Sequence, residues 1–305
     1  MRKWSEIKNI EKVKEYLEFL EQKGEKIYYI NDFPWVKYRG ILQPAIPIPH
    51  EPPRFSLQDI KGLLKLSKLS FIRWSSGFRN SSTEWWWIVS DRPIRLETLT
   101  GNTRSKVKRG MKRCKVKIIT TDWLSENGYE CYRSAFRRYK NVKPSDKNLF
   151  QQDIRSKKGY SCFKFWGVFF KEKLIGYTEC IIINNTIATS TIKYHPDYLK
   201  YYSAYTLMYS ILDYYLNQKK YNSISNGTRS IAHDTQMQEF LIKKFNFKKK
   251  FCKINVVYSP LFGFLVKTAY WLKSIINILN QLIPNIIFQK IVILIKQEEI
   301  RRSFL

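Results

Sequence analysis

Apolar positions change their spacing several times along this chain, and each change predicts an element. Between residues 5 and 22, Ile7, Ile10, Val13, Leu17 and Leu20 recur at helical spacing, which predicts an amphipathic first helix. After Gly24 short β-rich runs take over, "KIYYI" and then "GILQPAIPI". Pro44, Pro47 and Pro49 withhold ladder donors from the second run and predict an edge strand or extended segment. "RFSLQDIKGLLKLS" predicts a helix with Ser56 as N-cap and Leu57, Ile60, Leu63 and Leu64 on its apolar side. "LSFIRWSS" and "EWWWIVS" predict two aromatic strands joined by the turn-forming "GFRNSST". A basic helix, the short strand "VKIIT" and a helix from about Asp122 to Tyr139 follow.

From Tyr160 onward the alternation sharpens. "SCFKFWGVFF", "KLIGYTECIII" and "TIATSTIKYHP", separated by "KEK" and "NN", predict an antiparallel meander. A long helix is expected next, "SAYTLMYSILDYYLNQK", with Leu207, Ile211, Leu212 and Tyr215 on one side. Then come the strand "YNSIS", the loop "NGTRSIAHD", the helix "TQMQEFLIKKF" and a last strand "FKKKFCKINVVY". Residues 261–296 are the most apolar part. Their longest uncharged run, Ser274 to Gln289, is interrupted by Asn277, Asn280, Gln281, Pro284 and Asn285, which predicts two amphipathic helices broken near Pro284 rather than a membrane span.

Composition adds a partner to this picture. The chain has 305 residues and a formal charge of +29, an excess that implies an anionic partner: nucleic acid, anionic lipid or a phosphorylated cofactor. Its start carries charges throughout and lacks the apolar core of a signal peptide, so a cytoplasmic protein, possible at the inner face of the membrane, is expected. The five cysteines form no C-x-x-C pair, which predicts buried thiols with neither a disulfide partner nor a metal. The sequence also lacks H-E-x-x-H, G-x-S-x-G, G-x-x-x-x-G-K-[ST] and G-x-G-x-x-G, so metalloprotease, hydrolase, P-loop and Rossmann chemistries drop out.

The basic helix is the densest charge. "TRSKVKRGMKRCKVKII", residues 103–119, places eight basic residues in seventeen positions with no acid. Helical spacing puts Val107, Met111 and Cys114 on its core side and displays Arg104, Lys106, Lys108, Arg109, Lys112 and Arg113 as an anion-binding face. A second cluster, "KKFNFKKKFCK" at 243–253, strengthens the expectation of one extended anionic partner, either tRNA or an anionic membrane surface.

The order of elements from Tyr160 to Tyr258, with "FFKEKLIGYTECIIINNTIATSTIKYHPDYLKYYSAYTLMYSILDYYL" and "QMQEFLIKKFNFKK", resembles the GNAT acyltransferase fold. The basic helix leading into a short strand is similar to the segment before the second domain of FemAB-like transferases, which take an aminoacyl group from tRNA. The resemblance covers residues 95–260. It implies a mixed α/β (α+β) fold with a mostly antiparallel central sheet flanked by helices. Residues 1–94 would form a reduced GNAT-like half or accessory region, and 261–305 amphipathic C-terminal helices. It further implies an N-acyltransferase that moves an acyl group from acetyl-CoA or another acyl-CoA, or alternatively from aminoacyl-tRNA, onto an amine acceptor such as an amino sugar or cell-envelope precursor. The donor would lie against the strand end at Lys193 and Tyr194, the turn at Lys200, Ser203 and Ala204, and the next strand's exit at Asn226 and Arg229. The glycine pattern R/Q-x-x-G-x-G/A of acetyl-CoA enzymes is absent there, since the stretch runs Lys200-Tyr201-Tyr202-Ser203-Ala204-Tyr205. A non-catalytic basic module with a degenerate donor site is therefore the remaining reading.

For the proton of the acceptor amine, Glu179 is the candidate base, with Tyr177 two residues away on the same strand face; a carboxylate among isoleucines is raised by desolvation. His195 and His233 are rivals, His233 beside Asp234, a candidate helix cap.

Overall fold

A computed structural model describes every residue except 39, 140, 141, 232–235, 284 and 305. Eleven strands form one sheet: β1 Ile27–Ile30, β2 Phe33–Tyr38, β3 Ile41–Pro44, β4 Phe71–Arg79, β5 Trp86–Ser90, β6 Cys114–Ile119, β7 Phe163–Phe170, β8 Lys173–Ile183, β9 Thr186–Tyr194, β10 Ser223–Thr228 and β11 Lys248–Tyr258. Their spatial order is β1-β2-β3-β4-β11-β5-β10-β9-β8-β7-β6. Only β3–β4 and β9–β10 run parallel; the other pairings are antiparallel. The expected meander is β7–β8–β9.

The helices are α1 Trp4–Ile7, α2 Glu11–Gln22, α3 Leu57–Ser67, α4 Gly101–Arg113, α5 Thr121–Asn127, α6 Tyr129–Ala135, α7 Lys147–Arg155, α8 Ser203–Leu212, α9 Gln236–Phe245, α10 Pro260–Trp271, α11 Lys273–Leu282 and α12 Ile286–Arg302. Period-2 alternation along β8 sends Tyr177, Ile181 and Ile183 to one face, where α2, α3 and α5–α7 bury their apolar sides. Cys180 and Ile182 go to the other, under α4, α8 and α9, and a register shift near the start of β8 sends Ile175 there as well. A third apolar cluster joins β4 and β11 to the C-terminal segment through Phe71, Val256 and Ile300.

Several expectations are corrected. The first helix is two, since the chain breaks between Ile7 and Glu11. The helix expected from Asp122 to Tyr139 divides at Gly128, where a Cβ would stand 2.5 Å from the Leu124 carbonyl oxygen. The "GILQPAIPI" segment holds an inner strand, β3, short because Pro44 ends it. Helix α3 has the Ser56 cap, with its hydroxyl accepting from the Asp59 N–H at 3.0 Å, but Leu57 in its first turn is exposed. The aromatic strands β4 and β5 are not neighbours, because β11 inserts between them. β5 thus sits between β10 and β11, so strands from before and after residue 94 share one sheet. The C-terminal segment breaks first at Leu272; Pro284 lies outside the described residues.

Helix α4 shows why one expected face is rotated. Thr103, Val107, Gly110 and Cys114 face inward, while Met111 is 49% exposed. Gly110 is the cause: its backbone packs so closely on α8 that a Cβ would meet Thr206 Oγ1 at 2.0 Å and the Tyr202 carbonyl at 3.1 Å. A glycine at the contact stripe, invisible to a hydrophobicity count, sets the helix orientation.

Candidate functional site

The register of β8 against β9 slips once: Thr178 faces Ile192 while Cys180 faces Thr189. Such a bulge re-aims side chains, and here it brings Ser190 of β9 onto Glu179. The Ser190 hydroxyl donates to Glu179 Oε1 at 2.5 Å. The other carboxylate oxygen lies 3.1 Å from Lys157 Nζ, and both side chains of this ion pair are buried.

Lys157 comes from the turn after α7. Its ammonium also donates to Asp153, one turn earlier, at 2.6 Å, and Asp153 pairs in turn with Lys23 at the end of α2 at 2.5 Å. Ser190, Glu179, Lys157, Asp153 and Lys23 therefore form one chain of alternating charge across β9, β8, α7 and α2. Burial works to lower the Lys157 ammonium, but the carboxylates of Glu179 and Asp153 outweigh it and hold it above the ordinary lysine value. Burial likewise works to raise Asp153, and the two lysines hold it below the usual carboxylate range. Glu179 is thus matched by a cation rather than isolated among isoleucines as the sequence suggested.

This chain forms part of the wall of a cavity of about 860 Å³ between the N-terminal elements and β8–β10. Tyr16 and Phe19 of α2, the Pro44–Pro47 segment and His50 line one side; Thr189–Ile192 and Asn226–Thr228 line another. β9 and β10 pair only at Thr186–Ala188 with Ser223–Ser225, then part, and the amide of Asn226 donates to Thr189 Oγ1 at 2.8 Å where they separate. The His50 ring is buried with Nδ1 2.7 Å from the Ile48 carbonyl oxygen, and burial pushes its pKa down to about 4. Arg73 reaches the cavity from β4. It donates to Gln297 Oε1 at 3.1 Å and lies 5.7 Å from the Trp85 ring, and among the described residues it forms no ion pair; burial pushes its pKa down to about 10.

The other candidates distribute unevenly. Tyr177 shares the Glu179 face but is 1% exposed in the core and does not line the cavity. Lys193 stands against Phe136 at 4.2 Å and Tyr139 at 4.7 Å, and burial pushes it down to about 8. Tyr194 is buried, with no partner for its hydroxyl among the described residues. Lys200 is exposed over Tyr201. Ser203 is fully buried, its hydroxyl unpartnered among the described residues, and Ala204 follows it in the first turn of α8; α4 packs at Gly110 on the flanking Tyr202 and Thr206. At the turn expected to cradle an anion, Ser203 is thus buried while Lys200 is exposed and Ala204 half-buried. Arg229 is engaged within the protein: its Nη1 donates to the Glu84 carboxylate and carbonyl, both at 2.6 Å, with the guanidinium over Trp86. His195 packs on Tyr198 at the end of β9, away from the cavity, and burial lowers it. His233 lies outside the described residues.

On α4, Arg104, Lys108, Arg109 and Lys112 line a shallow groove of about 290 Å³ with Gly101 and Ser105. Lys106 and Arg113 instead lie over Tyr205 and Tyr201. In the second basic cluster, Lys243 pairs with Glu239 and Lys250 with Asp91. Sequence reasoning missed Lys157, Asp153, Lys23 and Arg73. The only signal was an acid four residues before a lysine in "DIRSK", a spacing that occurs on many solvated helices.

A carboxylate held by one hydroxyl and one ammonium beside a cavity can accept a proton, and the ammonium places positive charge where an oxyanion could develop. Among the described residues no group of three or more His, Cys, Asp or Glu side chains could hold a metal, and the five cysteines are buried free thiols.

No protein-family model matches the chain, and no curated protein matches it. Solved structures do. It is similar to the C-terminal domain of a protein assigned as lysylphosphatidylglycerol synthetase from Agrobacterium fabrum, at 9% identity over 86% of this chain and 96% of that one, with a TM-score of 0.54. It is also similar to FemX, at 8% identity over 77% of this chain and 88% of that one, with a TM-score of 0.52. A smaller likeness is to the PaiA N-acetyltransferase from Thermoplasma acidophilum in complex with coenzyme A, at 17% identity over 35% of this chain and 74% of that one, with a TM-score of 0.27. The chain has a mixed α/β, GNAT-like fold with one open sheet flanked by helices.

Proposed function

We propose that this chain is a transferase that moves an acyl or aminoacyl group onto an amine within the 860 Å³ cavity. The observation that carries the reading is the buried Ser190–Glu179–Lys157 constellation on the wall of that cavity. The amine nitrogen attacks the donor carbonyl: a C–N bond forms, the C–S bond of a thioester or C–O bond of an aminoacyl ester breaks, and the amine proton passes to Glu179, directly or through Ser190, before leaving with the departing group. Lys157 balances the carboxylate, and Arg73, with no carboxylate of its own among the described residues, anchors an anionic part of the acceptor. An amine-bearing cell-envelope precursor fits such a site; the likeness to a lysylphosphatidylglycerol synthetase domain and to FemX supports a cell-envelope acceptor in general, and the amine is our own proposal.

Between donors, one observation favours aminoacyl-tRNA over acetyl-CoA. The first turn of α8 has a buried Ser203 where an acetyl-CoA loop has a glycine, while α4 turns a groove of four cations outward, where a polyanion can reach it. The test supplies the protein, in parallel, with radiolabelled acetyl-CoA and with tRNA charged with radiolabelled amino acids, using a cell-envelope extract as acceptor. Label is expected in an alkali-stable amide, and Glu179→Gln should lower its rate by about 100-fold or more. Equal labelling by Glu179→Gln removes Glu179 from the chemistry. No labelling from either donor leaves a basic binding module instead of an enzyme.

A further inference from the structure

Eleven of the exposed large apolar side chains among the described residues fall between Leu261 and Ile287. α10 is fastened to the sheet by one face only: Val266 is 2% exposed and Phe262 stacks on Phe71 at 5.8 Å. Its other face carries Phe264, 67% exposed, and Trp271, 82% exposed. α11 buries no residue at all, and Ile275, Ile278 and Leu282 recur along it at helical spacing, each more than half exposed. Monomeric soluble proteins rarely leave so continuous an apolar surface without an occupant.

The charge around this surface selects the occupant. From Ser259 to Gln297 the sequence contains no Asp or Glu, while Lys267, Lys273, Lys290 and Lys296 lie along it. Lys273 is matched by Glu299 from α12; Lys267, Lys290 and Lys296 are exposed. A second copy of this chain would bring like charge against like. An anionic bilayer brings the opposite charge together with an apolar interior, and an exposed tryptophan beside lysines suits the headgroup boundary. Among the described residues no helix is long and apolar enough to cross a membrane, so the helices would lie along the surface rather than pass through it.

We infer that α10 and α11 form a docking surface for an anionic phospholipid bilayer, with the outward side chains of both helices inserted at the headgroup level and the lysines against the lipid phosphates. This goes beyond the proposed chemistry and does not depend on it. The geometry also links the two regions: α12, which packs against α10 and α11, sends Gln297 to Arg73 on the cavity wall.

The test is flotation of the full chain with vesicles of phosphatidylcholine alone or mixed with phosphatidylglycerol at physiological salt. Binding is expected on the anionic vesicles, weaker on the neutral ones. Ile275→Asp with Ile278→Asp should reduce the partition at least about tenfold with an unchanged melting curve, because neither side chain is buried. Lys267→Gln with Lys290→Gln should weaken the preference for anionic vesicles, and an unchanged preference would remove these lysines from the lipid contact. Flotation of the aspartate variant like the parent would overturn the inference, as would a parent that stays unbound with both vesicle types. A self-associating parent made monomeric by the aspartate pair, with vesicle binding unaltered, would assign the surface to a second copy.

Discussion

The two faces of the sheet handle positive charge in opposite ways. On the face of α2 and α7, Lys157 is buried and held between two carboxylates, and Lys23 closes the chain through Asp153. On the opposite face, α4 displays Arg104, Lys108, Arg109 and Lys112 around a groove with no acidic residue on the helix at all. Both faces belong to a chain of net charge +29, so overall charge does not distinguish them. The difference lies in what the fold supplies as a partner: internal carboxylates for Lys157 on one face, and for the four cations of the α4 groove no ion pair among the described residues.

The largest effect should come from breaking the internal pair. Lys157→Met leaves Glu179 buried without its cation and should cost about 3–5 kcal/mol, measured by urea unfolding. Adding Glu179→Leu should recover much of that loss. A double variant as unstable as the single would show that packing rather than charge matching holds this face.

His50 tests the same face through pH. Its folded pKa, about 4, lies below the ordinary value of 6.5, so the unfolded chain takes up a proton between those values while the folded one does not. Stability should therefore fall as pH drops through that window, by about 3 kcal/mol in all. His50→Gln should flatten that part of the pH profile, and an unflattened profile would assign the acid sensitivity to the carboxylates.

The smallest effect on stability should come from the outward face. Lys108→Glu with Arg109→Glu should change unfolding free energy by no more than about 0.5 kcal/mol. The same pair should lower tRNA affinity and reduce the slope of log affinity against log salt by about 2. An unchanged slope would remove α4 from the partner surface and blunt the contrast between the faces.

What the sequence made legible follows the range of the interaction that decides it. The β7–β8–β9 meander could be read because alternation and short turns are local, and Glu179 could be read because an acid interrupts an isoleucine-rich strand. Lys157 could not, since nothing local separates it from the other 53 lysines and arginines; only the packing of α7 under β8 buries it. The rotation of α4 was hidden for a related reason. Periodicity counts apolar side chains, whereas the contact is made by Gly110, which has none. At the turn expected to hold the donor, the sequence offered a Ser in place of a glycine, and the structure adds that this Ser is buried, which no local pattern reveals.

The insertion of β11 between β4 and β5 also has a consequence for how the molecule is made. Phe251 pairs with Arg79 and with Trp86, so the inner edges of both early strands wait for a segment that emerges from the ribosome long after them. Until then, two aromatic-rich strands expose unpaired backbone, and closing the gap requires a long loop to be brought together late. Folding should be slow and governed by the arrival of residues 248–258, with the unfinished sheet most prone to aggregate during that interval.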